Sequence, residues 1–323
     1  MKRFSFLVLV LLLLTSCTAR NSRSSNEEKK QYVIGFSQIG AESSWRERNT
    51  ESVLEAGKKA DYKILYENAN QSQTEQIKDL RSFIASRVDL IILTPIVETG
   101  WKHVLEEAAD ANIPVVINDR LISKEDSHLY KTFVGPDVPI QGIQTADFLK
   151  KKYKDGQEPI NIVEIQGSKD ASPAISRHDG LVEGLKDDPR FHLVASVHGD
   201  FMLSKGREAI KNVAKSHDLK QVDVIYCHND DMADGVVSYL EETDIKPGKD
   251  ITICSVDGQQ SAIDLLKAGK INCVIECDPN MGEKLFEVVA AVLDGKDVPK
   301  ENYTTGRVFS EYSDLTKIDE RGY

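Results

Sequence analysis

The chain has 323 residues, of which 40% are hydrophobic and 29% are charged, as in an ordinary globular protein. Its length predicts about two domains. The formal net charge of −11 argues against a nucleic-acid-binding protein, because nucleic-acid phosphates require a basic surface.

The N-terminus has the order of a secretory signal. Lys2 and Arg3 give a positive start, and the apolar residues 4–14 lead through small residues to Cys17. This run is much shorter than the roughly 20 residues of a membrane span. Residues 14–17 (Leu-Thr-Ser-Cys) resemble the lipobox of bacterial lipoproteins. The resemblance implies a signal peptide over residues 1–16, lipid on Cys17 and a location outside the cytoplasm. An ordinary signal peptide with an incidental Cys17 is the alternative.

Residues 17–30 are polar and charged after Cys17, and they predict a flexible tether. Apolar runs typical of strands then alternate with helical patterns. The predicted strands cover residues 32–37, 63–66, 90–93, 114–117, 132–134, 160–165, 192–197, 222–226, 251–254 and 273–275. Continuous apolar runs predict burial on both faces, and the interleaved helices predict parallel sheets of the doubly wound α/β class.

Helices are indicated by apolar residues at helical spacing over residues 73–86, 206–217 and 281–293. The strands fall into two series, which predicts two similar lobes. Three cysteines, Cys227, Cys254 and Cys273, lie in or beside apolar strands and predict buried free thiols. A disulfide is the alternative in an oxidising compartment. The spacing of Cys273 and Cys277 lacks the second Cys or His pair that a zinc site requires.

Polar residues follow most of the predicted strands. Ligands of open α/β sheets bind beyond the carboxyl ends of the strands, so these residues are candidates for a site. They lie in segments 38–46, 94–95, 118–120, 166–167, 228–231, 255–258 and 276–278. Carboxylates, amides and arginines suit a hydroxyl-rich ligand, and Trp45 offers a flat apolar face. Alternatively, Asp230 or Asp231 only caps a helix, Asp119 and Arg120 form a local ion pair, and Trp45 belongs to the core.

Three of these segments carry a family resemblance. Residues 113–120 (Ile-Pro-Val-Val-Ile-Asn-Asp-Arg), 228–232 and 255–258 resemble the sugar-binding proteins of bacterial ABC importers. The resemblance is to their ribose- and galactose-binding group, of periplasmic-binding-protein-like fold I, and covers residues 31–323. Within this group, five further segments resemble the galactofuranose binders, namely residues 35–46, 95–101, 163–167, 204–206 and 322–323.

Ribose binders usually have phenylalanines where this chain has Trp45 and Arg46, which implies another ligand. The resemblance also implies a set of ligand-binding residues contributed by both lobes. They are Glu42, Ser43, Trp45, Arg46, Thr94, Asp119, Arg120, Arg177, Asn229, Asp230, Asp257 and Glu276. Glu276 stands where many relatives have Gln. Family topology implies three crossings between an N-terminal lobe, residues 31–134 plus 279–305, and a C-terminal lobe, residues 135–278 plus 306–323.

The resemblance implies an extracytoplasmic binding lipoprotein that is a monomer and touches the membrane only through its lipid. It would capture a monosaccharide related to galactofuranose or galactose by hinge closure and deliver it to an ABC permease. Presentation of the sugar to a sensor kinase or chemoreceptor is the alternative. We expect neither a cofactor nor a metal. The chain lacks G-x-S-x-G, Walker-type and H-E-x-x-H motifs, which argues against an enzyme. Repressors that share the fold begin with a helix-turn-helix, where this chain has the signal.

Overall fold

The computed structural model describes residues 31–156 and 158–323. The expected signal over residues 1–16, the lipidation site at Cys17 and the tether over residues 17–30 lie outside the described residues. Residues Tyr32–Tyr323 form a single unit. Within the described ranges, we find no helix of the length and apolar character that crossing a membrane requires.

Strands and helices alternate along the chain. The strands are β1 (Val33–Gln38), β2 (Lys63–Asn68), β3 (Leu90–Leu93), β4 (Val115–Asn118), β5 (Thr132–Pro136), β6 (Ile160–Gln166), β7 (Phe191–His198), β8 (Val224–Cys227), β9 (Thr252–Asp257), β10 (Cys273–Glu276), β11 (Glu301–Thr304) and β12 (Val308–Ser310). The helices are α1 (Ser44–Lys59), α2 (Gln73–Ala85), α3 (Lys102–Asp110), α4 (Val138–Lys152), α5 (Ser172–Leu185), α6 (Leu203–Val213), α7 (Asp230–Leu240), α8 (Gln260–Lys267) and α9 (Gly282–Leu293).

The strands form two sheets of six. The first has the order β11-β5-β4-β3-β1-β2 and is parallel throughout. The second has the order β12-β10-β9-β8-β6-β7, in which β12 alone is antiparallel to its neighbour. Each sheet and its helices form one α/β lobe. The predicted fold class, two doubly wound lobes, is confirmed.

Each sheet separates two apolar cores. In β3, Ile91 and Leu93 pack with α2 and α3, whereas Leu90 and Ile92 face α1 and α9. The strands of the second sheet alternate in the same way between two clusters. Burial on both faces explains why the central strands read as continuous apolar runs.

The prediction of two-sided burial is wrong for β2 and β7, which are edge strands. Leu193 and Val194 of β7 are 40% and 36% exposed. The sequence prediction also omitted β11 and β12. They are short strands at the opposite edges, and β11 (Glu-Asn-Tyr-Thr) has no apolar run. Local apolarity therefore identifies the central strands better than the edges.

The chain passes between the sheets after β5, after β10 and between β11 and β12. These passages lie near the three expected crossings, while the lobe limits given above stay a prediction. Cys227, Cys254, Cys273 and Cys277 are free, buried thiols. Across residues 31–156 and 158–323, no group of His, Cys, Asp or Glu side chains is arranged to hold a metal ion.

Candidate functional site

A cavity lies between the two lobes, beyond the carboxyl ends of several strands of both sheets. It contains about 320 Å³ of space, including the part open to solvent. The first lobe lines it with Glu42, Ser43, Trp45, Arg46, Asp119 and Arg120. The second lobe lines it with Pro173, Arg177, Phe201, Asn229, Asp257 and Cys277. We call these twelve residues the interlobe cavity.

Two arginines and two carboxylates form a buried network on the first lobe. Arg46 donates from Nη2 to Asp119 Oδ2 at 2.5 Å and from Nε to Glu42 Oε1 at 3.1 Å. Arg120 Nη2 donates to the same Glu42 oxygen at 2.9 Å. All four side chains are at most 8% exposed. The network fixes these side chains before any ligand arrives.

Burial and neighbouring charges shift the pKa values of the network residues in different directions. Burial lowers the pKa of Arg46, but Asp119 and Glu42 outweigh it, so the pKa lies above its ordinary value. Burial likewise raises the pKa of Glu42, and the two arginines reverse the effect. For Arg120, burial and repulsion by Arg46 prevail, which lowers its pKa to about 10. Of the two arginines in the network, Arg120 is therefore the one whose positive charge costs more free energy to bury.

Two polar atoms of the network have no hydrogen-bond partner. Glu42 Oε2 and Arg120 Nε are both fully buried and unpaired within the described protein. Buried polar atoms normally have partners, so an unpaired acceptor and an unpaired donor on two residues that line the cavity indicate a ligand site. A ligand hydroxyl has the complementary chemistry, because it both donates and accepts.

The second lobe contributes an arginine and a carboxylate. Arg177, on α5, donates from Nε to Gln141 Oε1 at 2.9 Å and from Nη1 to the His228 carbonyl at 2.5 Å. Its Nη2 lies 3.9 Å from Asp257 Oδ1. The Asp257 carboxylate accepts no hydrogen bond from the described residues, and burial raises its pKa well above the ordinary value. This carboxylate is left to bind an incoming donor.

Close packing of two helices sets the position of Arg177. Glycines Gly142 of α4 and Gly180 of α5 let the two backbones meet. A Cβ at Gly142 would lie 2.3 Å from the Arg177 carbonyl, and a Cβ at Gly180 would lie 2.2 Å from the Pro139 carbonyl. Larger residues at either position would move α5, and Arg177 with it.

Aromatic rings form the apolar walls of the cavity. Trp45 packs with the second lobe's core and donates from Nε1 to the Cys277 carbonyl at 2.5 Å. The Arg120 guanidinium lies 5.0 Å from the centre of the Phe201 ring. Phe201 and Asp119 have φ values of 61° and 62°, in the left-handed region that side chains rarely occupy. Such backbone strain concentrates at functional sites.

Direct contacts across the cleft join the lobes. Leu121 N donates to Ser172 Oγ at 2.8 Å, and Glu98 N donates to the Asp170 carbonyl at 3.0 Å. The Ser44 hydroxyl donates to the Gln259 side chain. Together with the bond from Trp45, these contacts hold the cleft closed over the cavity.

Most of the residues expected from the resemblance line this cavity. They are Glu42, Ser43, Trp45, Arg46, Asp119, Arg120, Arg177, Asn229 and Asp257. Ser43 and Asn229 also cap α1 and α7, so the cap that we considered for Asp230 or Asp231 belongs to Asn229. Trp45 serves both as cavity wall and as core. Asp119 pairs more closely with Arg46 than with Arg120, whose Nε is 4.0 Å away.

Three expected residues, Thr94, Asp230 and Glu276, are not among those that line the cavity, and each has polar partners within the protein. Thr94 Oγ1 accepts from Asn118 Nδ2 at 2.9 Å. The Asp230 carboxylate accepts from Ser255 Oγ and from the main-chain N–H groups of residues 258 and 259. Glu276 pairs with the arginines at positions 307 and 321. These three side chains therefore form hydrogen bonds or ion pairs with other protein groups.

Sequence reasoning missed Pro173, Phe201 and Cys277 as cavity residues. The signal for Cys277 was available, since it follows Glu276 at the end of β10. Phe201 lies three residues beyond the end of β7, an edge strand of the second sheet. Pro173 opens α5, which follows β6 after a longer loop. Each lies beyond a carboxyl end, where the same rule finds the other residues.

A family model described as a periplasmic binding protein domain matches residues 34–297. The galactofuranose-binding protein YtfQ of Escherichia coli is 37% identical over 280 residues, which are 86% of this chain and 87% of YtfQ. A Mycobacterium smegmatis protein solved in complex with β-D-fucofuranose is 38% identical, with a TM-score of 0.83 over 87% of this chain and 91% of its own.

A third relative is the periplasmic binding protein component of the arabinose ABC transporter from Shewanella sp. ANA-3, bound to α- and β-L-arabinofuranose. It is 38% identical, with a TM-score of 0.82 over 86% of this chain and 92% of its own. YtfQ and the Shewanella protein are binding proteins, which are not enzymes. The chain belongs to the periplasmic binding protein family, among its ribose-binding-like sugar binders.

Proposed function

We propose that the protein captures a monosaccharide, first of all galactofuranose, in the interlobe cavity and delivers it to an ABC importer. The unpaired Glu42 Oε2 and Arg120 Nε carry this proposal. One sugar hydroxyl accepts from Arg120 Nε and donates to Glu42 Oε2, which satisfies both atoms at once. A second hydroxyl donates to the Asp257 carboxylate. Each hydrogen bond to a charged group contributes about 1.5–3 kcal/mol.

The size of the cavity supports a small ligand. The cavity contains about 320 Å³ of space, including the part open to solvent, and twelve residues surround it. The relatives support a five-membered sugar ring, because the names of all three refer to furanoses. Galactopyranose and arabinose are the next candidates. The flat face of Trp45 and the ring of Phe201 would cover the apolar carbons of the sugar.

Closure of the lobes over the sugar is the proposed mechanism of capture. Half of the cavity residues belong to each lobe, so neither lobe alone provides the full set of contacts. The open form binds the sugar on one lobe, and hinge rotation then brings the other lobe over it. The contacts from Leu121, Ser44 and Trp45 across the cleft would stabilise the closed form that the importer recognises.

Variants of Asp119 test this function by titration calorimetry with galactofuranose. Asp119→Ala removes one carboxylate and leaves Arg46 with fewer partners, so we expect Kd to rise about 10- to 100-fold. Asp61→Ala is the matched control, since Asp61 has the same φ of 62°, is exposed and does not line the cavity. Unchanged affinity of a folded Asp119→Ala protein would contradict the proposed site.

We further propose that lipid on Cys17 anchors a monomer to the extracytoplasmic face of a membrane of the cell envelope. Residues 14–17 support this proposal, as does the short apolar run before them. Cys17→Ser is expected to abolish incorporation of labelled palmitate and to release the protein from the membrane fraction. Palmitate labelling that persists in Cys17→Ser would refute the anchor at this residue.

A further inference from the structure

The backbone of the turn after β9 is unusual, and it carries a cavity carboxylate. This turn, residues 257–259, is called the β9 turn here. Asp257 has a φ of 128° and Gly258 a φ of 87°. A φ of 128° is rare for any residue with a side chain, and such a conformation persists only where its surroundings hold it. The position of the Asp257 carboxylate therefore depends on what holds the β9 turn.

Asp230 holds the β9 turn from inside the second lobe. Its Oδ2 accepts from the N–H of Gly258 at 2.7 Å and from the N–H of Gln259 at 2.8 Å. Its Oδ1 accepts from Ser255 Oγ at 2.5 Å. This side chain, expected from the resemblance to touch the ligand, instead supports the backbone that presents Asp257.

Arg321 and Tyr323 hold the β9 turn from its other side. Arg321 Nε donates to the Gly258 carbonyl at 3.1 Å, and the Tyr323 hydroxyl donates to the Asp257 carbonyl at 3.4 Å. Gln260, which follows the turn, donates from its N–H to the Tyr323 carbonyl at 2.8 Å and accepts from Arg321 N at 2.7 Å. The Arg321 side chain is 8% exposed and also pairs with Glu276.

We propose that residues 321–323 form a strap whose Arg321 and Tyr323 are positioning residues for the sugar, acting through Asp257. This inference rests on the proposed function of the interlobe cavity. Neither residue lines the cavity, so the proposal has both of them act on the sugar through Asp257. Without the strap, the β9 turn relaxes toward an ordinary backbone conformation and the carboxylate moves away from the sugar hydroxyl.

Arg321→Ala and Arg307→Ala form a matched pair for the test. Both arginines pair with Glu276 and lie against Phe309, but only Arg321 donates to the β9 turn. Titration of the full chain in detergent solution with galactofuranose is expected to give a Kd about 5- to 20-fold higher for Arg321→Ala. Arg307→Ala is expected to stay within about 2-fold of the unaltered protein. Equal losses in both variants would assign the effect to Glu276 and overturn the strap.

A double-mutant cycle separates positioning from general destabilisation. In an Asp257→Asn background, the weakened carboxylate contact leaves little for the strap to position. Arg321→Ala is then expected to change Kd less than about 2-fold. Additive losses would show that Arg321 acts by another route and would overturn the proposal.

Amide hydrogen exchange at Gly258 and Gln259, measured without sugar, gives a second readout. Exchange at both is expected to accelerate in Arg321→Ala and to stay unchanged in Arg307→Ala. Faster exchange with unchanged Kd would reduce the strap to a structural element and refute the positioning role. Absence of binding by the unaltered protein would refute the proposed function, whereas normal binding by folded strap variants would refute the strap alone.

Discussion

Replacement of Arg120 by Met is expected to stabilise the ligand-free protein and to weaken sugar binding. Burial and repulsion by Arg46 lower the pKa of Arg120 from 12.5 to about 10. At about 1.4 kcal/mol per pKa unit, holding this charge in the folded protein costs roughly 3 kcal/mol. Below a pH of about 10 Arg120 stays protonated in the folded protein, so the full cost of holding its charge is present at neutral pH. Met has a similar length and no charge.

The expected change in the free energy of unfolding depends on which partners Glu42 keeps after Arg120 is replaced. Glu42 keeps Arg46 at 3.1 Å when Arg120 is replaced, so its carboxylate is not left alone. We therefore expect the free energy of unfolding without sugar to rise by roughly 1–3 kcal/mol after some packing loss. The sugar loses at least the hydrogen bond from Nε, worth about 1.5–3 kcal/mol, so Kd is expected to rise about 10- to 150-fold.

Urea unfolding without sugar and titration calorimetry with galactofuranose measure the two effects. Arg81→Met is the control, since Arg81 is exposed and pairs with Glu107 at the surface. This control is expected to change neither quantity appreciably. A folded Arg120→Met protein that binds sugar normally would refute the role of Arg120. A protein that is less stable without sugar would refute the electrostatic reasoning.

Other variants test the remaining parts of the site. Burial raises the pKa of Asp257 in the folded state, so the unfolding free energy falls as pH rises from about 3.8 through that higher pKa. Asp257→Asn is expected to flatten this slope in urea unfolding and to stabilise the sugar-free protein at neutral pH; an unchanged slope would contradict the assignment. Gly180→Ala brings a Cβ into the Pro139 carbonyl, so it is expected to lower the free energy of unfolding by about 1–3 kcal/mol and to weaken sugar binding. Urea unfolding and titration calorimetry measure these two effects. Gly156→Ala, whose Cβ meets nothing closer than 3.5 Å, is the control, and equal behaviour of the two would refute the packing argument.

The sequence was sufficient for the fold class and for most of the residues that line the interlobe cavity. Central strands such as β3 are apolar on both faces, so their pattern survives without knowledge of their neighbours. Asp119 and Arg120 directly follow such a strand, and topology then places them at the cleft. Edge strands such as β11 have no comparable pattern, because one side of each lacks a neighbouring strand.

The sequence was insufficient wherever distant residues decide the direction of a side chain. Glu276 matches a family position, but arginines 31 and 45 positions further along the chain capture its carboxylate. Phe201 lines the cavity from a backbone conformation with a φ of 61°, which local propensity does not predict. The strap is equally invisible in the sequence, since its contacts join Arg321 to a turn 63 positions earlier.

Titration calorimetry of the full chain in detergent solution against galactofuranose, galactose, arabinose, ribose and glucose tests the central claim most directly. The account predicts saturable, one-site binding that is tightest for galactofuranose and about 10- to 100-fold weaker in Asp119→Ala. Silence across the panel from folded protein would contradict the proposal that the interlobe cavity captures a monosaccharide.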